Sequence, residues 1–168
     1  MPLSMYQATV PVYVRLLAAL SSTLDKAAAH AAAKKVDPAV FITARLYPDM
    51  WSLAEQVRAA TGHMVRGTSR LAGVPIPTFD GKEATFDDLK ARIVKTIAFI
   101  QTVKPAQIDG SEDKETTITV AGNPMTLKRA QYLEHFAMVN FYFHCTTTYA
   151  ILRQSGVEIG KRDFIGGL

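Results

Sequence analysis

The chain has 168 residues, enough for one domain with a real core, and its 48% apolar and 20% charged content is that of an ordinary globular protein. No apolar run reaches the roughly 18 residues of a spanning helix, so the composition argues against a membrane protein. The net charge of +4 comes from scattered basic residues, with no basic stripe interleaved with aromatics, which argues against nucleic-acid binding. One cysteine, Cys145, cannot form an internal disulfide, and the N-terminus lacks the pattern of a signal peptide. The expectation is a cytoplasmic protein.

The first helix is expected over residues 4–35, with Ser4 and Gln7 as a capping box and Val10, Tyr13, Val14, Leu17, Leu20 and Leu24 as its buried face. Pro11 would disturb an interior turn, so a regular helix beginning near Thr9 is the alternative start. His30, among alanines, reads as a solvated surface residue. Asp37–Pro38 starts a short helix, which should stop before Pro48. Pro48–Asp49 then opens the second long helix, to about Leu71, with Asp49 in its first turn and Met50, Leu53, Val57, Ala60, Met64, Gly67 and Leu71 as its core face. His63 sits beside that stripe.

Residues 72–85 hold two prolines and two glycines and read as a loop. Such a loop spans about 45 Å when extended, against about 35 Å for the preceding helix. It can therefore run back along the molecule, so the third helix is free to start at the same end as the second. Thr85 and Asp88 cap that third helix, whose core face is Phe86, Leu89, Ile93, Ile97 and Ile100, and Pro105 ends it. Residues 115–127 switch to strand composition around Gly122–Asn123, a β-hairpin that should pack on the helices because two strands alone are marginal. The tail from Val157 carries too little pattern to place.

Residues 126–156 read as one long helix, capped by Thr126 and closed by Gly156 with Val157 against Leu152. At about 100° per residue, Tyr132, Phe136, Val139, Phe143 and Ala150 fall on one face. Leu133 and Ile151 widen it, Asn140 lies within it and His144 at its edge. Cys145 points away from that stripe and reads as an ordinary thiol. No phosphate loop, dinucleotide fingerprint, serine elbow, zinc-finger spacing or Glu-x-x-His pair is present. The one polar constellation is Asn140 with His144 at i, i+4, joined by His63 or Asp49 from the second helix. A buried amide without partners costs about 1–3 kcal/mol, so Asn140 should pair with a side chain, a water, a ligand or a metal-bound water.

The segments RLYPDMWSLAEQV and HFAMVNFYFHCTTTYAILRQSGVEIGKRDF resemble an uncharacterised bacterial family known only as a domain of unknown function, itself similar to the DinB/YfiT-like four-helix bundles. The resemblance covers nearly the whole chain. It implies an all-α, up-down-down-up bundle, residues 1–168 as one domain, with a small hairpin before the last helix, and a homodimer. It also implies a divalent ion (zinc, nickel or iron) held by three histidines, one on the second helix and an i, i+4 pair on the last, in enzymes that use low-molecular-weight thiols. Carried onto this chain, the metal candidates are His144, Asn140, His63 and Asp49, with Asn140 where a histidine would be expected. An amide oxygen is a poorer ligand than imidazole for these ions. Three readings result: a metal-dependent, thiol-transferase-like enzyme with a degenerate site, a non-catalytic dimeric bundle with a structural or small-ligand-binding polar network, or a stress-related partner-binding protein.

Overall fold

A computed structural model describes residues 3–167. Its elements are α1 (Met5–Lys34), α2 (Pro38–Thr43), α3 (Leu53–Ala72), α4 (Phe86–Ile100), α5 (Pro105–Ile108), β1 (Glu115–Val120), β2 (Asn123–Lys128), α6 (Arg129–Tyr132), a π-helical turn (Leu133–Ala137), α7 (Met138–Gln154) and α8 (Lys161–Ile165). The molecule is mostly helical. Helix α3 packs on α7 and on α4, α4 packs on α1, and α8 lies against α1. No helix among the described residues is long and apolar enough to cross a membrane.

Capping chemistry sets most boundaries. Ser4 and Gln7 cap α1, which runs unbroken through the exposed Pro11. Asp37 accepts from the Ala39 N–H at 2.9 Å to open α2, with Pro38 in the first helical position. Thr85 and Asp88 cap α4 reciprocally. Most of the predicted faces are buried, including Tyr13, Leu17 and Leu24 on α1 and Leu89 and Ile93 on α4, while Val14 and Ile97 are half-buried.

Two starts differ from the sequence expectation. Helix α3 begins at Leu53, because Ser52 and Glu55 form a complete capping box that outcompetes the Pro48–Asp49 start. Asp49 is left exposed in the preceding turn. Thr126 does not cap the last helix. It is paired in β2, where its hydroxyl meets that of Thr117 at 2.9 Å, and the helix starts at Arg129. The hairpin turns at Ala121–Gly122, both with positive φ, and presses Ile118 into the core.

The last helix also departs from one period. Leu133–Ala137 is a π turn, in which the Met138 N–H reaches the Leu133 carbonyl five residues back. One extra residue in a turn rotates everything after it by about 100°. Tyr132 and Leu133 stay in the core, as expected, but Phe141, His144, Cys145, Thr148 and Leu152 then become the buried face. Val139 and Phe143, expected in the core, are 57% and 55% exposed, and Cys145, expected on the far side, is buried. Burial raises the Cys145 thiol pKa, which keeps it an ordinary protonated thiol. The closing Schellman motif forms as read: Gly156 has φ +85, the Val157 N–H bonds the Leu152 carbonyl at 3.0 Å and the Gly156 N–H that of Arg153 at 3.1 Å. His30 is half-buried, edge-on to Phe41, rather than solvated.

The phase shift makes two phenylalanines two residues apart unequal. Phe141→Ala should destabilise the protein by about 3–5 kcal/mol, and Phe143→Ala by no more than about 0.5 kcal/mol, in urea denaturation. An unbroken 3.6-residue helix would give the reverse order.

Candidate functional site

The polar residues of interest gather where α3 faces α7, under the turn 44–52 and the loop 73–84. The turn is closed by a bridge between Arg45 and Ser52 and by the Leu53 N–H bonding the Ala44 carbonyl at 2.8 Å. This sets Trp51, half-exposed, directly over the start of α3. Arg92 of α4 pins the loop: its Nε donates to Thr61 at 2.7 Å and its Nη1 to Glu83 at 2.7 Å and to the Asp80 carbonyl at 3.3 Å.

His144 is buried at the centre of this arrangement. Its Nδ1 meets Gln56 Oε1 at 2.8 Å. The Gln56 amide in turn donates to the Trp51 carbonyl at 3.4 Å, which orients its oxygen toward the histidine. Nδ1 therefore carries the proton and Nε2 the lone pair. The His144 ring stacks on Trp51 on one side (centroids 5.5 Å apart) and on His63 on another (5.3 Å). Both imidazoles are held neutral. Burial is the main cause for His63, then the positive charge of Arg66, then His144 and Arg70, and together they lower its pKa from 6.5 to about 4. Burial and then Arg66 lower that of His144.

The structure thus joins two of the four candidate ligands, His144 and His63, and leaves the other two aside. Two imidazoles on one tetrahedral ion, with nitrogen–metal bonds of about 2 Å, have ring centres roughly 5 Å apart, so the histidine spacing alone suits a shared ion. The rest of the set does not. Asn140, half-buried, donates to the Phe136 carbonyl at 2.8 Å, one turn back along its own helix. Asp49 is exposed in the turn before α3 and does not line the cleft. The charged groups that bear on His63 are the guanidiniums of Arg66 and Arg70, with no carboxylate. Among the described residues, no three His, Cys, Asp or Glu side chains come together to hold a metal ion. Two neutral donors among cations do not fit a resident divalent ion.

What the arrangement does build is an open cleft of about 440 Å³. Its walls carry Trp51, His63 and three guanidiniums, Arg58, Arg66 and Arg92, against one carboxylate, Glu55. His144 lies behind Trp51 and His63. Several of these residues escaped the sequence reading. Their signal was present: Glu55, Arg58, Ala59, Gly62, His63 and Arg66 follow one another at i, i+3 and i+4 on α3 and mark a second, polar face beside the apolar one. Gln56, buried next to that face, had no such signal, since only the tertiary fold brings it to His144.

The architecture places the chain among DinB-like helical proteins. A crystal structure of a DinB family member from Shewanella denitrificans is similar to it, with a TM-score of 0.89 and 32% identity over 98% of this chain and 93% of that one. The chain belongs to the family described as Domain of unknown function (DUF1993), which matches residues 5–165. No curated protein matches it.

The neutral histidines give the fold a pH dependence. Unfolded, His63 takes up a proton as the pH falls through 6.5, whereas folded it does so only near 4. Between these values the unfolded chain binds more protons, so stability should fall as the pH is lowered from about 6.5 toward about 4. Urea midpoints measured across that window should fall less steeply for His63→Gln than for the unsubstituted protein. Equal slopes would mean that His63 titrates normally in the fold.

Proposed function

We propose that this protein is a ligand-binding helical bundle that takes a small organic molecule in the cleft beside His63 and His144, rather than a metal-dependent, thiol-transferase-like enzyme. The observation that carries the reading is the donor set, which ends at two neutral imidazoles while the cleft beside them has aromatic and cationic walls. In this reading Gln56 and Trp51 hold His144 as a fixed, neutral support behind the cleft wall. The His144 Nδ1 is paired with Gln56, so that nitrogen needs no ion to satisfy it. The proposal includes the finer fold, an up-down-down-up four-helix bundle in one domain. The packing of α1 on α4 and α3 on α7, and a loop long enough to run back along α3, support it. It also includes the homodimer, which sedimentation at micromolar concentration tests.

Untagged protein purified without chelator should carry far less than one equivalent of zinc, nickel or iron. Asn140→His, which returns a third imidazole one turn from His144, should tighten zinc binding by about 10-fold or more. Near-stoichiometric metal in the unsubstituted protein that disappears in His144→Ala would overturn the reading in favour of the metalloenzyme.

A further inference from the structure

Arg66 is the unusual group of the cleft. The other wall cations have acids or carbonyls: Arg92 pairs with Glu83 at 2.7 Å, and Arg58 donates to the Gly81 and Glu83 carbonyls at 3.1 and 3.3 Å and lies 3.8 Å from the Glu83 carboxylate. Glu55, the one carboxylate on the wall, is engaged by the Ser52 cap and by Arg45 at 3.3 Å. Arg66 makes neither an ion pair nor a hydrogen bond among the described residues. Yet its guanidinium is not loose in solvent. It is half-buried and folded back over Gly62, where a Cβ would lie 3.0 Å from Nη1 and 3.4 Å from Nη2. Glycine at 62 leaves the planar fork room to lie against the helix, and a Cβ there would make it give way slightly. Burial works against the charge on Arg66, as do Arg70 and Arg92, while Tyr132 favours it. A half-desolvated cation without an acid favours an anionic partner.

We infer that the cleft binds a small aromatic or otherwise planar carboxylic acid, whose carboxylate is held by the Arg66 guanidinium and the neutral His63 and whose flat body lies along Trp51. The inference rests on the ligand-binding reading and specifies its ligand. A planar fork matches a carboxylate with two parallel charge-assisted bonds. One neutral imidazole N–H supplies a further donor, which suits a singly charged carboxylate better than a phosphate dianion. Trp51 offers an apolar wall of ring size on the same cleft. An approaching acid also finds a net positive potential, since Arg58, Arg66 and Arg92 outnumber Glu55 and the Glu83 that Arg58 and Arg92 share.

Benzoate, benzamide, benzylamine and phenyl phosphate serve as probes, titrated into the full chain at low salt and followed by amide and indole NMR shifts. Benzoate should shift Gly62, His63 and the Trp51 indole with a saturable, millimolar-range curve, and benzamide and benzylamine should not. Arg66→Gln should weaken benzoate by about 10-fold or more, the effect of losing one charge-assisted pair. Gly62→Ala is the second variant. It keeps every charge and removes a helical glycine, so its Tm should hold or rise, but its Cβ displaces the guanidinium and benzoate binding should fall as well. Benzamide or benzylamine binding as well as benzoate, or benzoate binding unchanged in both variants, would overturn the carboxylate inference while leaving a ligand cleft. Phenyl phosphate binding more tightly than benzoate, and losing that in Arg66→Gln, would overturn it in favour of a phosphate site. If none of the four binds, the inference and the ligand-binding reading both fall.

Discussion

The π turn at Leu133–Ala137 is the constraint on which the site depends. Up to Tyr132 the last helix follows one phase, and after Ala137 it follows another, rotated by the one residue that the wide turn accommodates. The rotation carries Phe141 into edge contact with Tyr13 and turns His144 from the rim of the helix into the interface with α3, where Gln56 meets it. The same rotation takes Val139 and Phe143 out of the core and leaves Asn140 at the margin, bonded to its own helix. Without that turn His144 would not face Gln56, and the stack of Trp51, His144 and His63 would not assemble.

The electrostatics of the cleft follow from that placement. The buried His144 and the half-buried His63, near guanidiniums, stay neutral. They contribute hydrogen bonding and shape but no charge. The cations nearby are unevenly satisfied. Arg58 and Arg92 share Glu83 and tie the 73–84 loop to the helices, which spends their charge on structure. Arg66 is spent on nothing in the described residues. The proposed anionic ligand suits these charges, because bringing a divalent ion to neutral donors beside guanidiniums sets like charges against each other in a partly desolvated space.

Much of the fold was legible from short-range rules. The caps at Ser4, Asp37 and Thr85 and the glycine closure at Gly156 are local chemistry, settled within four or five residues, and they appear where the sequence places them. Two local rules competed at the start of α3, and the reciprocal Ser52–Glu55 box won over a proline followed by an acid because it satisfies two orphan N–H groups at once. Of the candidate site, His63 and His144, read as polar groups beside core stripes, come together between α3 and α7. Asp49 stays outside with the displaced helix start, and on the last helix Ile151 is buried as the periodicity predicts while Val139 and Phe143 are not.

The sequence by itself therefore determined the kind of protein: helical, with an inserted hairpin, a long connecting loop and a polar pair on its last helix. Periodicity and capping are properties of neighbouring residues, and they can be read without knowing what lies across the interface. The tertiary structure decided which face of the last helix turns inward, that Gln56 and Trp51 hold His144, and that Arg66 stands beside His63 without an acid. A π turn has no reliable local signature, since its hydrogen bonds are kept only when packing on both sides requires the offset. An unpaired cation is a statement about every other element, because its missing partner could have come from any of them.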